Sequence, residues 1–250
     1  MKKTQIILPP IRPNAGVGAA YQARLLRLID EMHNSMLYWL TRDSAGFAHD
    51  ATPAKDVSGT MEKLSRRWMD VFNRASKTMA QTFVDHSLRN VDNMFKRHDL
   101  GIKMTMTDVM KNAVQASAIQ NVALIKSIPQ QYLADVEVLV MQHVSVGGNL
   151  KTLTDTLVER YGITRRRAIF IARDQNSKAT AMITRARQED LGITEAIWLH
   201  SHGGREPRPD HVAADGKRYK IAEGMKLDDG WVFPGELYNC RCVSKSIVEI

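Results

Sequence analysis

Leu191-Gly192-Ile193-Thr194-Glu195-Ala196-Ile197-Trp198-Leu199-His200 is the stretch where the grammar of this chain changes. Upstream, apolar residues recur every three or four positions, the period of an amphipathic helix. From Ile193 onward they come as a short β-branched and aromatic run followed by turn formers. Gly192 stands where a helix end favours a residue that tolerates left-handed backbone. The reading is an α+β protein, with a mostly helical N-terminal region over residues 1–148 and a small C-terminal α+β domain over 149–250.

Moving back from Gly192, Thr164 can cap a helix running to about Leu191, and Asn149 a shorter one carrying Leu150, Leu153, Leu157 and Tyr161 that stops at Gly162. Gln131–His143 and Asp108–Ser127 read as two helices parted at Pro129, because proline pushes its predecessor out of the helical region; the later one ends at Gly147-Gly148. Thr60–His98 carries Met61, Leu64, Trp68, Phe72, Met79, Phe83, Val91 and Phe95 on one face and meets a stop at Gly101. Tyr21–Thr41 repeats the pattern with Leu25, Leu28, Ile29, Met32, Met36 and Leu40, and Asp43–Gly59 reads as a connection. Before it, Pro9, Pro10, Pro13, Gly16 and Gly18 predict an extended arm. Downstream, strands are expected at Ile193–His200, Arg218–Ile221 and Cys242–Ile250, with Leu227–Asn239 as loop.

At 250 residues, 44% hydrophobic and 25% charged, the chain is long enough to bury a core without staples. No apolar run approaches the ~20 residues of a membrane span, and Pro9 and Pro10 interrupt the N-terminal apolar stretch before a signal core forms, so no membrane partner is expected and the start reads as mature protein. A net charge of +8 points to a polyanion partner, double-stranded DNA bound without sequence preference being the simplest. Two cysteines, Cys240 and Cys242, make no disulfide framework, and a reducing cytoplasm is the default compartment.

The chemistry-bearing residues crowd into the last third, in the order Ile171-Ala172-Arg173-Asp174-Gln175, Arg187-Gln188, Gly192, Trp198, Arg205, Arg208-Pro209-Asp210-His211, Asp215-Gly216, Pro234-Gly235-Glu236 and Tyr238-Asn239-Cys240-Arg241-Cys242. This ordered set resembles the phage Mu protein F-like minor head proteins of the phage head morphogenesis family. Their C-terminal domain runs from such a helix through a Trp strand and an R-x-x-H and D-G segment to a closing P-G-E and C-R-C. Leu8-Pro9-Pro10-Ile11-Arg12-Pro13-Asn14, then Tyr21 and Asp30-Glu31-Met32, is similar to the opening of many members. One departure stands in His200-Ser201-His202-Gly203-Gly204-Arg205, which lacks the acid usual before the first Arg; a role resting on that carboxylate does not carry over.

The resemblance implies a minor capsid protein of a tailed-phage virion, not an enzyme. It would act in viral capsid assembly, with the portal protein and other head proteins as partners. Its place would be the host cytoplasm during assembly and the virion head afterwards. Within that reading Trp198, Arg205, Arg208, Asp215, Gly216, Pro234 and Arg241 form the structural motif. The arm and first helix, Leu8 to Thr41, are expected to attach to a larger assembly.

Two chemical alternatives remain open on the residues. His211, Cys240 and Cys242, with His202 or His200 as a fourth ligand, carry the donor types of a zinc site. C-x-C is not the usual C-x-x-C knuckle, so a reduced, buried Cys pair with a hydrogen-bonded His is the plainer reading, and only one of the two thiols is expected to face inward if a bulge or turn splits them. His211 with Asp210, Asp215 and Glu236 could serve a metal-dependent nuclease or other effector enzyme, yet these residues sit in loops without a nucleophile signature and read more simply as turn-tying polar groups. Arg165-Arg166-Arg167, continued by Arg173, Lys178, Arg185 and Arg187, spreads charge around a helix and reads as a solvated face. Trp198 and Trp231 read as core or rim aromatics of the small domain, and Trp68 as packing the long helix.

Overall fold

The computed structural model describes residues 4–43, 54–97, 104–145, 150–204 and 206–249. In chain order these form β1 (Gln5–Ile7), α1 (Ala15–Asp43), α2 (Ala54–Lys96), α3 (Asp108–Ser145), α4 (Leu150–Asp190), β2 (Glu195–Leu199), α5 (Pro209–Ala213), β3 (Arg218–Lys220), β4 (Met225–Leu227), β5 (Gly230–Val232) and β6 (Val243–Glu249). The α+β class stands, four long helices lying in the chain between β1 and the remaining strands of a small sheet region. The stops expected at Gly101 and Gly147-Gly148 and the cap at Asn149 lie outside the described residues.

Two compact units divide the chain, and neither is a continuous stretch. One joins residues 19–80 to 120–172; the other joins 1–18, 81–119 and 173–250. The first is a bundle of helical segments whose buried faces are Leu25, Ile29, Met32, Met36 and Leu40 from α1, Met61, Leu64, Trp68 and Phe72 from α2, Ile125, Ile128, Tyr132, Leu133 and Val136 from α3, and Leu153, Leu157, Ala168 and Ile171 from α4. Its polar centre is His33, whose Nδ1 lies 2.7 Å from the Tyr132 hydroxyl and whose ring stacks on Tyr161 at 4.0 Å between centroids. Burial holds the His33 pKa below its ordinary value against the pull of nearby Asp30.

Two expected helix breaks do not occur. α3 runs through Pro129, because Ile125, Ile128, Pro129, Tyr132 and Leu133 keep one buried face in phase across it. Burying several such side chains at ~1.5–3 kcal/mol each outweighs the ~3 kcal/mol that an interior proline costs a helix. α4 likewise runs through Gly162, whose cost is only ~1 kcal/mol. Thr164 does not cap; its hydroxyl donates to the Arg160 carbonyl inside the same helix. The first helix also starts earlier than Tyr21, with Asn14 accepting the Val17 N–H as its N-cap.

The second unit holds the sheet, an antiparallel array in the order β1-β6-β2-β3, beside a separate β4-β5 hairpin. The arm is therefore not waiting for an outside partner: Gln5 pairs with Glu249 and Ile7 with Ile247, the Leu8 N–H donates to Ser246, and Leu8 and Ile11 are buried. The expected loop Leu227–Asn239 begins instead with the β4-β5 hairpin, turning at Asp228-Asp229. Its strands are three residues each, too short for alternation to show in sequence.

α4 ends in a Schellman motif at Gly192, with φ of 68°, the Gly192 N–H donating to Glu189 and the Ile193 N–H to Gln188. The last turns of that helix lie on the sheet, Gln188 Nε2 reaching Ser244 Oγ at 3.1 Å and Ser246 Oγ at 2.8 Å on β6. Arg187, 1% exposed, pairs with Asp92 at 2.8 Å and Asp190 at 2.8 Å and donates to the Thr105 carbonyl. The arginine series on α4 is thus largely engaged within the protein, for Arg165 binds Asp30 and Arg167 binds Ser127.

Candidate functional site

The end of β2 organises the chemistry. Trp198 is fully buried, and its backbone accepts the Gly216 N–H and donates to Lys217 O, hooking the Asp215-Gly216 turn onto the strand. Asp215 then takes the His200 N–H at 2.8 Å and lies 3.2 Å from His202 Nε2. The His200 N–H, and after it the His202 ring, hold the Asp215 carboxyl below its usual pKa, whereas burial works the other way. Asp215 is the clamp of this loop.

α5 is a short helix started by Pro209, and it carries His211 into the interior at 2% exposure. The imidazole stands perpendicular to the Trp198 ring, 5.1 Å between centroids. Opposite it comes the Cys240-Arg241-Cys242 segment. That segment is not yet strand: Asn239 has a φ of 58°, and β6 begins only at Val243. Asp174 of α4 holds this bend by accepting the Asn239 N–H at 2.7 Å. The Pro234-Gly235 turn supports it from the other side, and a Cβ at Gly235 would fall 2.7 Å from the Ala181 Cβ and 3.2 Å from the Cys242 carbonyl.

Both thiols point inward, although the segment that carries them is a bend and not regular strand. Cys240 Sγ lies 3.5 Å and Cys242 Sγ 3.6 Å from His211 Nδ1, and both cysteines are 4% exposed. The expectation that only one would face the interior is corrected. Cys242 hydrogen-bonds Cys240, and the backbone N–H groups of Cys242 and Gly235 add to it, so the Cys240 thiol loses its proton more readily than an ordinary one; Cys242 keeps its proton correspondingly longer. Neither His200 nor His202 joins the group of three: His202 is turned to Asp215, and His200 Nδ1 accepts the His202 N–H at 3.1 Å.

The cluster forms one wall of an open, polar cleft of about 830 Å³, lined also by Arg173, His200, Glu206, Arg208, Tyr238 and Arg241. Arg208 donates to the Tyr238 carbonyl at 3.2 Å and so ties the start of α5 to the C-R-C approach. Pro234 is buried and Arg241 lines the cleft, whereas Arg205 lies outside the described residues. Trp231 is exposed, at 59%, and packs no core. Asp174, which the sequence shows only as a member of the Ile171–Gln175 stretch with no role of its own, is the clamp of the bend.

An α+β domain closed by a helix, a Trp strand, a His-bearing turn and a Cys-x-Cys bend is the class of protein that these elements define. Residues 134–245 match the family described as Phage Mu protein F like protein, and over that segment the chain is similar to its members. An uncharacterized protein of Haemophilus influenzae is 28% identical over 252 residues, covering 96% of this chain and 55% of that protein. The chain thus spans about half the length of the curated relative it matches. No solved structure matches significantly.

Proposed function

We propose that this protein is a structural component of a tailed-phage head, acting in head morphogenesis at the portal vertex, touching packaged double-stranded DNA, and performing no catalysis. The observation that carries the reading is the match of residues 134–245 to phage Mu protein F-like proteins. The polar groups around His211 support a structural role. Asp210 accepts the N–H groups of His211 and Asp228, Asp215 that of His200, and Glu236 that of Phe233. Asp210, Asp215 and Glu236, the carboxylates that the sequence offered as partners of His211, are thus engaged in holding turns. The net charge of +8 supports contact with phosphates, and among the described residues no helix is long and apolar enough to cross a membrane.

Mass spectrometry of purified virions tests the proposal, with the protein expected at low copy and co-purifying with the portal; its absence from virions would overturn it. DNA binding should fall steeply with salt and show no base preference. A second reading, a metal-dependent nuclease, has one observation in its favour, the cleft that places Arg173, Arg208 and Arg241 beside the His and Cys cluster. Chelator-sensitive cleavage of plasmid DNA would favour it over the structural role.

A further inference from the structure

We propose that His211, Cys240 and Cys242 bind one zinc ion, as a three-residue site whose fourth corner faces the cleft. The first argument is geometric. A tetrahedral ion with Zn–N of about 2.05 Å and Zn–S of about 2.3 Å sets its nitrogen and sulfur ligands about 3.6 Å apart. The two observed separations from Nδ1 are 3.5 and 3.6 Å. The ligand atoms of all three residues fall within 4.8 Å of one another, although they come from a short helix and from a bend some thirty residues later.

The second argument is the state of the imidazole without an ion. His211 is 2% exposed, and among the described residues its Nε2 has no hydrogen-bond partner and its Nδ1 meets only two sulfurs, which are weak hydrogen-bonding groups. A buried polar ring satisfied so poorly is costly, and a metal bond at Nδ1 replaces those weak contacts with a strong one. Two thiolates and one imidazole are a soft, nitrogen-containing set that suits zinc and not calcium or magnesium. The C-x-C spacing is no objection here, because both sulfurs lie within 3.6 Å of the same nitrogen, His211 Nδ1.

The test uses the full-length protein, reduced with a phosphine and stripped with a chelator, then titrated with cobalt(II) and competed with zinc(II). Thiolate-to-cobalt charge-transfer bands and intense tetrahedral absorption should appear, saturate at about one equivalent per chain and vanish on adding zinc. Cys240→Ser, Cys242→Ser and His211→Asn should each weaken zinc affinity by more than about 100-fold, with helical circular dichroism checked for each variant. Wild-type protein that gives no thiolate bands with cobalt would overturn the proposal regardless of how the variants fold, and so would bands that survive loss of both cysteines. A spectrum that shifts on adding azide is expected of a corner open to the cleft, and an unmoved one would overturn that part.

Discussion

Arg187→Met is the substitution on which the reasoning about the second unit can be tested hardest. The guanidinium is 1% exposed and binds Asp92, 18% exposed, and Asp190, 8% exposed, while its Nη1 also donates to the Thr105 carbonyl at 2.8 Å. Methionine fills much of the same volume, so the loss is electrostatic more than steric. Removing the cation leaves two carboxylates with little water around them, and breaking a buried pair in this way costs about 3–5 kcal/mol. For a chain of this length that corresponds to a fall in Tm of roughly 10 °C. Equilibrium urea unfolding followed by circular dichroism gives the difference, with Lys111→Met as control, since its pair with Asp108 is exposed and worth ~0.5 kcal/mol. Pairing Arg187→Met with Asp92→Asn should recover at least ~1 kcal/mol, because the second change removes a charge that the first left unpaired. A cost for Arg187→Met no greater than that of the control would refute the burial argument.

Gly192→Ala should cost about 1 kcal/mol, since its φ of 68° is strained for alanine but its surroundings are open; Gly235→Ala should cost about 3 kcal/mol, because its Cβ would also collide with Ala181. Thermal denaturation ranks them, and equal costs would show that the Pro234-Gly235 turn yields. Pro129→Ala should raise stability by ~1 kcal/mol, restoring a helical N–H while losing some buried area, and a fall of that size would show that the ring's packing matters more than the missing bond. The folded pKa of His33 is lowered, so its contribution to stability is complete above the unfolded value near 6.5 and declines as pH falls below it. Wild-type protein should therefore lose more Tm between pH 7.5 and 5.5 than His33→Gln does, and parallel losses would exclude His33 as a source of that dependence.

By itself the sequence determined what depends on neighbours along the chain. The three- and four-residue recurrence of Leu25 to Leu40 and of Met61 to Phe95 is a property of local spacing, and both became buried helix faces. Gly192 ended its helix and Trp198 lay in a strand for equally local reasons, the need for left-handed backbone and the strand preference of bulky residues. The donor types of His211, Cys240 and Cys242 were legible too. Tertiary structure decided the rest, wherever a local cost was set against a non-local gain. Pro129 and Gly162 carry helix penalties visible in the sequence, but the burial that offsets them depends on packing partners that local spacing does not reveal. The arm became a strand because Gln5 meets Glu249 at the other end of the chain. The division into units composed of separated segments is non-local for the same reason. Both thiols meet His211 from about thirty residues away, in a segment whose Asn239 N–H is held by Asp174 far upstream. Such pairings leave no periodicity to read, since the free energy that selects them comes from contacts made only once the chain has closed on itself.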